Sequence, residues 1–230
     1  MNSRLFSPKA IRRMLIPLVF EQLMIVLVGL VDTALLSGIN QSSLAAFSLV
    51  DSINQLLTQF FLAIGAGGAI IAAQYLGSED RKGAEQTANQ AALMVLSISA
   101  LIAVPVMLLK SPILHLLYPR INPEIRGFSE QYLLLSAISY PFFALYNSGT
   151  SMLYAQGHSK LSMMTSIGMN SAKILMNYLF INIWKMDIAG AGLATILSRV
   201  IGAFMVTLFL MDQHAPIHYT RPFKLHYNRF

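Results

Sequence analysis

Six long apolar segments constrain this chain more than any other feature of its sequence. Each holds at least the roughly 20 mostly apolar residues that a membrane-spanning helix requires, and short polar or turn-like stretches separate them. The sequence therefore predicts an all-α membrane protein with six transmembrane helices. The predicted spans are residues 14–37, 44–76, 86–109, 128–150, 161–184 and 189–211.

The composition agrees with a membrane protein and argues against several other classes. Of the 230 residues, 55% are hydrophobic and 11% are charged, whereas soluble domains carry about 25% charged residues. The net charge of +6 does not require a nucleic acid partner, because Lys and Arg collect in the cytoplasmic loops of membrane proteins. The chain has no cysteine, which excludes disulfides and thiolate metal sites. We expect membrane lipids, and no nucleic acid, as partners.

Basic residues near the ends of the spans predict the orientation. With the N-terminus inside, ten Lys and Arg residues lie on the inner side and four on the outer side, which favours a cytoplasmic N-terminus and a cytoplasmic C-terminus. Residues 1–13 are then a cytoplasmic segment, 14–211 the transmembrane lobe, and 212–230 a basic cytoplasmic tail. The stretch 111–119 is too short to span and is predicted to lie at the membrane interface.

Two carboxylates inside the first span are the strongest indication of function. Glu21 and Asp32 are eleven residues apart, so they share one face of the helix and lie about 16 Å apart along its axis. Charged residues in a membrane are costly and usually face a protein interior or a wet cavity. We therefore predict that Asp32 binds an ion or a proton.

Polar residues of three other spans are predicted to reach a similar depth in the outer half of the membrane. When residues are counted inward from the outer helix ends, groups from four helices converge near one level. For a single residue such as Gln55, helix packing explains the polarity equally well. The polar residues that join this predicted region are Asp51, Gln55, Lys173, Asn177, Thr195 and Arg199.

Sequence motifs of enzymes are missing from the chain. Neither the HExxH motif of metalloproteases nor the GxSxG motif of hydrolases is present, so we predict no catalytic residues, no enzymatic activity and no cofactor. The glycines of "AIGAGGAIIAAQYLG" follow no predicted strand, which argues against a dinucleotide site. Gly65, Ala69 and Ala73 are instead predicted to form a close-packing helix face.

Three stretches resemble the first half of the multidrug and toxic compound extrusion (MATE) transporters. The specific parts are "VDT" in the first span, "GGAIIAAQYLG" at the end of the second, and "AGLAT" at the start of the sixth. The resemblance extends from about residue 8 to about residue 215. It implies that the six helices form one lobe of a MATE-type transporter.

The resemblance also implies a function. MATE transporters are secondary antiporters that export cationic or amphipathic compounds in exchange for Na⁺ or H⁺, with two six-helix lobes around a central cavity. By position, Asp32 matches the acid that binds the coupling ion in the first lobe, and Thr195 matches a threonine that helps to ligate it. No metal is expected beyond a possible Na⁺ at Asp32. The residues assigned to ion coupling are Asp32, Lys173, Asn177 and Thr195, and those assigned to the cavity or substrate are Glu21, Asp51, Gln55 and Arg199.

The fifth span departs from the family pattern. The family often has an asparagine followed four residues later by an aspartate, where this chain has Lys173 and Asn177. We hypothesise that Lys173 pairs with Asp32, so that its ammonium group takes the place of a coupling Na⁺, because an unpaired buried charge is costly. Proton coupling is then easier to explain than Na⁺ coupling. Alternatively, Lys173 extends towards the membrane surface or pairs with Asp51.

The length is the larger departure, because the family has twelve helices and this chain ends after six. We expect a truncated or fragmentary product, or a lobe that assembles with a second six-helix lobe from a separate chain or a second copy. The expected location is the bacterial cytoplasmic membrane. The alternative functions are a non-transporting membrane subunit, a ligand-binding module, or a lipid-linked sugar flippase of the wider superfamily. The slight excess of acids over bases in the predicted cavity favours cationic cargo.

Overall fold

A computed structural model of the chain describes residues 8–211. Within that range the chain forms seven α-helices and one π-helical segment joined by short turns, and it contains no β-strand. The π-helical segment, Tyr178–Ile183, directly continues α6. The helices are α1 (Pro8–Ser37), α2 (Gln41–Gly77), α3 (Arg81–Leu108), α4 (Lys110–Leu117), α5 (Pro123–Ala155), α6 (Ser159–Asn177) and α7 (Asp187–Leu210).

The all-α membrane fold predicted from the sequence is confirmed, whereas the count of six spans is approximate. Four helical stretches are long and apolar enough to cross a membrane: Leu15–Ser37, Gln41–Gly77, Arg81–Leu108 and Asp187–Leu210. The other two predicted spans correspond to α5 and to α6 with its π-helical continuation. Helices α5 and α6 carry more polar residues than the four apolar stretches do, and the polar faces of α5 and α6 lie inside the lobe. The buried polar residues of α5 include Ser129, Ser136, Ser139, Asn147, Ser148 and Thr150.

The short segment predicted at the membrane interface is helix α4, which precedes the turn into α5. At the N-terminus, α1 begins at Pro8, within the segment that the sequence analysis assigned to the cytoplasm. Residues 1–7 and the predicted basic tail 212–230 lie outside the described residues.

Helix α5 is the centre of the lobe and packs against α2, α3 and α7, whereas α1 packs mainly against α6 at one edge. The α2–α5 contact contains a polar network. Asn54 of α2 donates to Ser136 Oγ at 3.2 Å and accepts from Tyr140 Oη at 2.9 Å. Buried polar groups of this kind are satisfied by one another, so α5 can carry polar residues without exposing them to lipid.

Small residues allow α2 and α5 to approach closely, as the sequence analysis predicted. A Cβ atom at Gly65 would lie 3.1 Å from the Cα atom of Ser148 in α5. Ala69, one turn further along α2, is buried in the same region. Gly65 and Ala69 of α2 therefore serve helix packing, which is the usual role of small residues at the interface of membrane helices.

The turn between α5 and α6 brings the end of one helix beside the start of the next. Gly157 adopts a left-handed conformation with φ of +75°. Its N–H donates to Tyr154 O at 2.9 Å, and the His158 N–H donates to Leu153 O at 2.8 Å. These two bonds are the Schellman pattern that closes the C-terminus of a helix. The turn therefore places Tyr154 and the first turn of α6 at the same end of the lobe.

Candidate functional site

Asp32 is almost completely buried and is held by two side chains of α6. Its exposed fraction is 2%, and Lys173 Nζ lies 2.6 Å from Oδ2. The Asn177 side-chain amide donates to the other oxygen, Oδ1. Because Lys173 and Asn177 are four residues apart, they lie on one face of α6. The two α6 side chains therefore engage both carboxylate oxygens of Asp32.

The backbone changes its geometry directly after this contact. The α-helical part of α6 ends at Asn177, and the π-helical segment begins at Tyr178. Short π-helical segments inside α-helices are rare and occur frequently at functional sites. The Asn177 Oδ1 atom is buried and accepts no hydrogen bond from the described residues. The Asp32 site therefore retains an acceptor next to its carboxylate.

The structure decides between the two partners considered for Lys173. The lysine pairs with Asp32, whereas Asp51 accepts a hydrogen bond from Gln55 of its own helix at 2.9 Å. Asp51 is partly buried and Gln55 is exposed on α2. These two predicted cavity residues therefore lie together on a polar face of α2 and do not bond to Asp32.

Thr195 is buried in α7, but its hydroxyl donates to Ala191 O of its own helix at 2.9 Å. Within the described residues it forms no hydrogen bond to Asp32. Tyr132 of α5, which the sequence analysis did not identify, connects these groups. Its side chain is 2% exposed, and its hydroxyl lies near Thr195, Lys173, Asp32 and Asp51. A fully buried tyrosine needs a polar partner, but hydropathy patterns do not reveal which one.

Arg199 is directed towards α5 and not towards the acids of α1. Its Nη1 atom donates to Ser139 Oγ at 2.6 Å, and its guanidinium group lies 4.2 Å from the centre of the Phe143 ring. Such cation–π contacts stabilise an arginine inside an apolar environment. The predicted depth of Arg199 did not specify this direction, which depends on the rotation of α7 about its axis.

Glu21 occupies a separate position in the N-terminal half of α1. It accepts a hydrogen bond from the Tyr154 hydroxyl of α5. The structure therefore does not bring Glu21 into the Asp32 site, and the two carboxylates of α1 have different neighbours.

Side chains of α6 engage both carboxylate oxygens of Asp32 in this structure. Hard cations bind oxygen ligands, but both oxygens of Asp32 already accept N–H groups. Within the described residues, no group of three or more His, Cys, Asp or Glu side chains could hold a metal ion. The lysine ammonium group already supplies the positive charge that a bound cation would provide.

The MatE family model matches residues 17–179. The chain belongs to the MATE family. The match includes Asp32, Lys173 and Asn177, whereas Thr195 and Arg199 lie beyond the matched residues. The resemblance seen in the sequence motifs is thereby confirmed for the N-terminal lobe.

Named MATE relatives and solved structures support the same assignment. The multidrug resistance protein PmpM of Pseudomonas aeruginosa is 31% identical over 200 residues, which cover 84% of this chain and 40% of PmpM. The uncharacterized transporter YisQ of Bacillus subtilis is 29% identical over 192 residues, or 81% of this chain and 41% of YisQ. A solved MOP superfamily transporter from Pyrococcus furiosus has the same fold, with a TM-score of 0.86 and 22% identity over 95% of this chain and 48% of that one.

The MATE chain described here is shorter than its relatives. It spans 40% to 48% of the length of the six relatives compared with it. The described residues therefore correspond to one lobe of a family member.

Proposed function

We propose that the chain is the N-terminal lobe of a secondary antiporter with Asp32 as the ion-coupling carboxylate. The antiporter exports cationic or amphipathic compounds in exchange for H⁺ or Na⁺. The buried contact of Asp32 with Lys173 and Asn177, in a chain of the MATE family, carries this proposal. Buried charges inside membrane helices mark ion and proton pathways. A relative from Staphylococcus haemolyticus, 25% identical over 206 residues, is named a multidrug export protein.

Protons are the coupling ions that the chemistry of this site favours. A proton that binds to Asp32 neutralises the carboxylate and releases the ammonium group of Lys173 from the pair. A Na⁺ ion would have to displace Lys173 from the same oxygen, with a like charge 2.6 Å away. We therefore assign Lys173 the role of an internal cation that exchanges with the coupling proton. Asn177 holds the second oxygen of Asp32, and the buried Thr195 of α7 is included in the proposed site.

A second six-helix lobe is the proposed partner, and the substrate cavity would lie between the two lobes. The polar face of α2 with Asp51 and Gln55 would then face the cavity, together with Glu21 and Arg199. The acids outnumber the bases among the candidate residues, which favours positively charged cargo through the local field. The proposed location is the cytoplasmic membrane of a bacterium, with both ends of the lobe inside.

Efflux of a fluorescent lipophilic cation tests the proposal. Cells would express the chain alone or within its full reading frame, and intracellular dye would be followed with and without a proton gradient. We expect gradient-dependent export that Asp32→Asn abolishes. The matched control is Glu79→Gln, which removes an exposed acid in the turn between α2 and α3. Export that persists unchanged in Asp32→Asn would overturn the role of this carboxylate.

The identity of the coupling ion requires a second comparison. Lys173→Ala is expected to change which ion gradient drives export, because it removes the internal cation from the Asp32 site. An unchanged ion dependence in this variant would contradict the role of Lys173. If neither the chain alone nor the chain within its full reading frame exports dye, a non-transporting subunit is favoured. Lipid translocation without dye export would favour the flippase alternative.

A further inference from the structure

Glu21 is the second carboxylate of α1, and its surroundings form a site that the Asp32 mechanism does not use. It precedes Asp32 by eleven residues, or about 16 Å along the helix, so the two groups are too far apart for direct contact. Glu21 is partly buried and accepts a hydrogen bond from the Tyr154 hydroxyl. Ser162 in the first turn of α6 also lies against its carboxylate. We refer to Glu21, Tyr154, Ser162 and Tyr146 as the Glu21 site.

The side chains that lie against the Glu21 carboxylate carry neutral hydroxyl groups. The titratable groups that face it are Tyr154 and Tyr146 of α5, and α6 contributes the hydroxyl of Ser162. Among the side chains that the structure describes, α1, α2, α7 and the π-helical segment present no charged group to it. An ionised carboxylate away from water is costly unless a cation pairs with it, and it otherwise becomes neutral by binding a proton.

The Glu21 site also contains buried polar atoms with unused hydrogen-bonding capacity. Ser162 is completely buried and Tyr146 is 4% exposed. Neither the Ser162 Oγ atom nor the Tyr146 Oη atom has a hydrogen bond of normal geometry to another described residue. Buried polar groups without partners are rare in folded proteins, and each calls for a specific explanation. Ser162, which lies against the Glu21 carboxylate, is placed to act as donor or acceptor when that carboxyl group changes its protonation state.

A buried polar face of α6 connects the Glu21 site with Asp32. Apart from the adjacent Thr165 and Ser166, its residues recur at spacings of three or four, which places them on one side of the helix. Asn170 donates to Ser166 Oγ at 3.1 Å within this face. All its members are buried except Lys173, whose side chain is 19% exposed. The polar face of α6 consists of Ser162, Thr165, Ser166, Asn170, Lys173 and Asn177.

We propose that Glu21 is a second proton-binding site of the lobe, connected to the Asp32–Lys173 pair by the polar face of α6. When a proton binds, an O–H bond forms at one carboxylate oxygen of Glu21 and the negative charge disappears. When the proton leaves, that O–H bond breaks and the carboxylate again accepts the hydrogen bond of Tyr154. The significance of this site for transport rests on the proposed function, whereas proton binding itself does not.

Infrared spectroscopy of the purified chain in lipid tests the proposal without a transport assay. The carbonyl band of protonated carboxyl groups would be followed from about pH 4 to about pH 9, a range that includes the ordinary pKa of a glutamate. The difference between the spectra of the unsubstituted chain and Glu21→Gln isolates the contribution of Glu21. We expect a band that titrates in the unsubstituted chain and in Asp32→Asn but is lost in Glu21→Gln. Tyr154→Phe should shift its frequency, because a hydrogen bond to the carboxyl group is removed.

The control for Glu21→Gln is Glu130→Gln, which removes a partly buried acid near the start of α5. The proposal is overturned if the difference spectrum of Glu21→Gln shows no titrating carboxyl band. It is also overturned if Asp32→Asn alone removes the band. Failure of dye export with an intact Glu21 band would contradict the proposed function and leave the second proton site standing.

Discussion

The two carboxylates of α1 lie on one helix, but their neighbours differ in charge. Asp32 is 2% exposed and pairs with the ammonium group of Lys173. Glu21 is partly buried and accepts a hydrogen bond from Tyr154. Side chains of α6 contact both acids, and the charge of one α6 residue, Lys173, accounts for much of the difference between their surroundings. Where the polar face of α6 meets Asp32 it presents a lysine, and where it meets Glu21 it presents Ser162.

This difference shows that the neighbouring side chains determine the chemistry of an intramembrane acid. A carboxylate paired with a lysine forms a neutral unit that can change only when the pair opens. A carboxylate surrounded by hydroxyl groups can take up a proton without breaking an ion pair. The two carboxylates of α1 therefore differ in kind, because Asp32 belongs to an ion pair whereas Glu21 contacts neutral hydroxyl groups.

Removing the lysine is expected to have the largest effect on stability. Lys173→Met leaves Asp32 buried without its cation, and breaking a buried ion pair in this way costs about 3–5 kcal/mol. We expect the free energy of unfolding in detergent to fall by that amount, as measured by denaturant titration of the purified chain.

The double variant Asp32→Asn with Lys173→Met distinguishes two causes of the stability loss, the unpaired charge of Asp32 and the missing side chain of Lys173. It removes both charges, so it should be more stable than Lys173→Met alone. Lys160→Met, at an exposed position in the first turn of α6, is the matched control and should change little. If the double variant is no more stable than Lys173→Met, the two charges do not stabilise each other.

Asn177→Leu is expected to have an intermediate effect. The substitution keeps the approximate size of the side chain but removes the amide that donates to Asp32 Oδ1. Hydrogen bonds to charged groups contribute about 1.5–3 kcal/mol, so a loss in this range is expected in the same unfolding experiment. A change below about 0.5 kcal/mol, the size typical of neutral surface substitutions, would mean that Lys173 alone holds Asp32.

Much of the fold and part of this site could be predicted from the sequence. Apolar segments and short turns identify the helices because each element leaves a local signal in the chain. The contact between Asp32 and Lys173 was one of the arrangements that a local count allowed, since their distances from the helix ends place them near one depth. Residues such as Asn177, four positions after the lysine, then share its face of α6.

The remaining parts of the site depend on how each helix is rotated and paired, which a single sequence does not encode locally. The tyrosines at positions 132 and 154 resemble ordinary membrane residues in the sequence, yet α5 directs Tyr154 onto Glu21 of α1 and packs Tyr132 against Phe47 of α2. Arg199 also shows that the sequence does not specify how a helix is rotated about its axis. Its depth was estimated from the end of α7, but its guanidinium group packs on Phe143 and bonds to Ser139 of α5.

The smallest expected change in the free energy of unfolding is for Tyr154→Phe, beside Glu21. Tyr154→Phe removes one hydroxyl, and the carboxyl group that it contacts lacks a charged partner among the described residues and can become neutral. We expect a loss of about 0.5–1.5 kcal/mol, the usual contribution of a single hydrogen bond. Tyr178→Phe, at an exposed position of the π-helical segment, is the matched control and should be neutral in the same unfolding experiment. A loss as large as that of Lys173→Met would mean that Glu21 stays ionised and depends on Tyr154, which would remove the contrast between the two carboxylates.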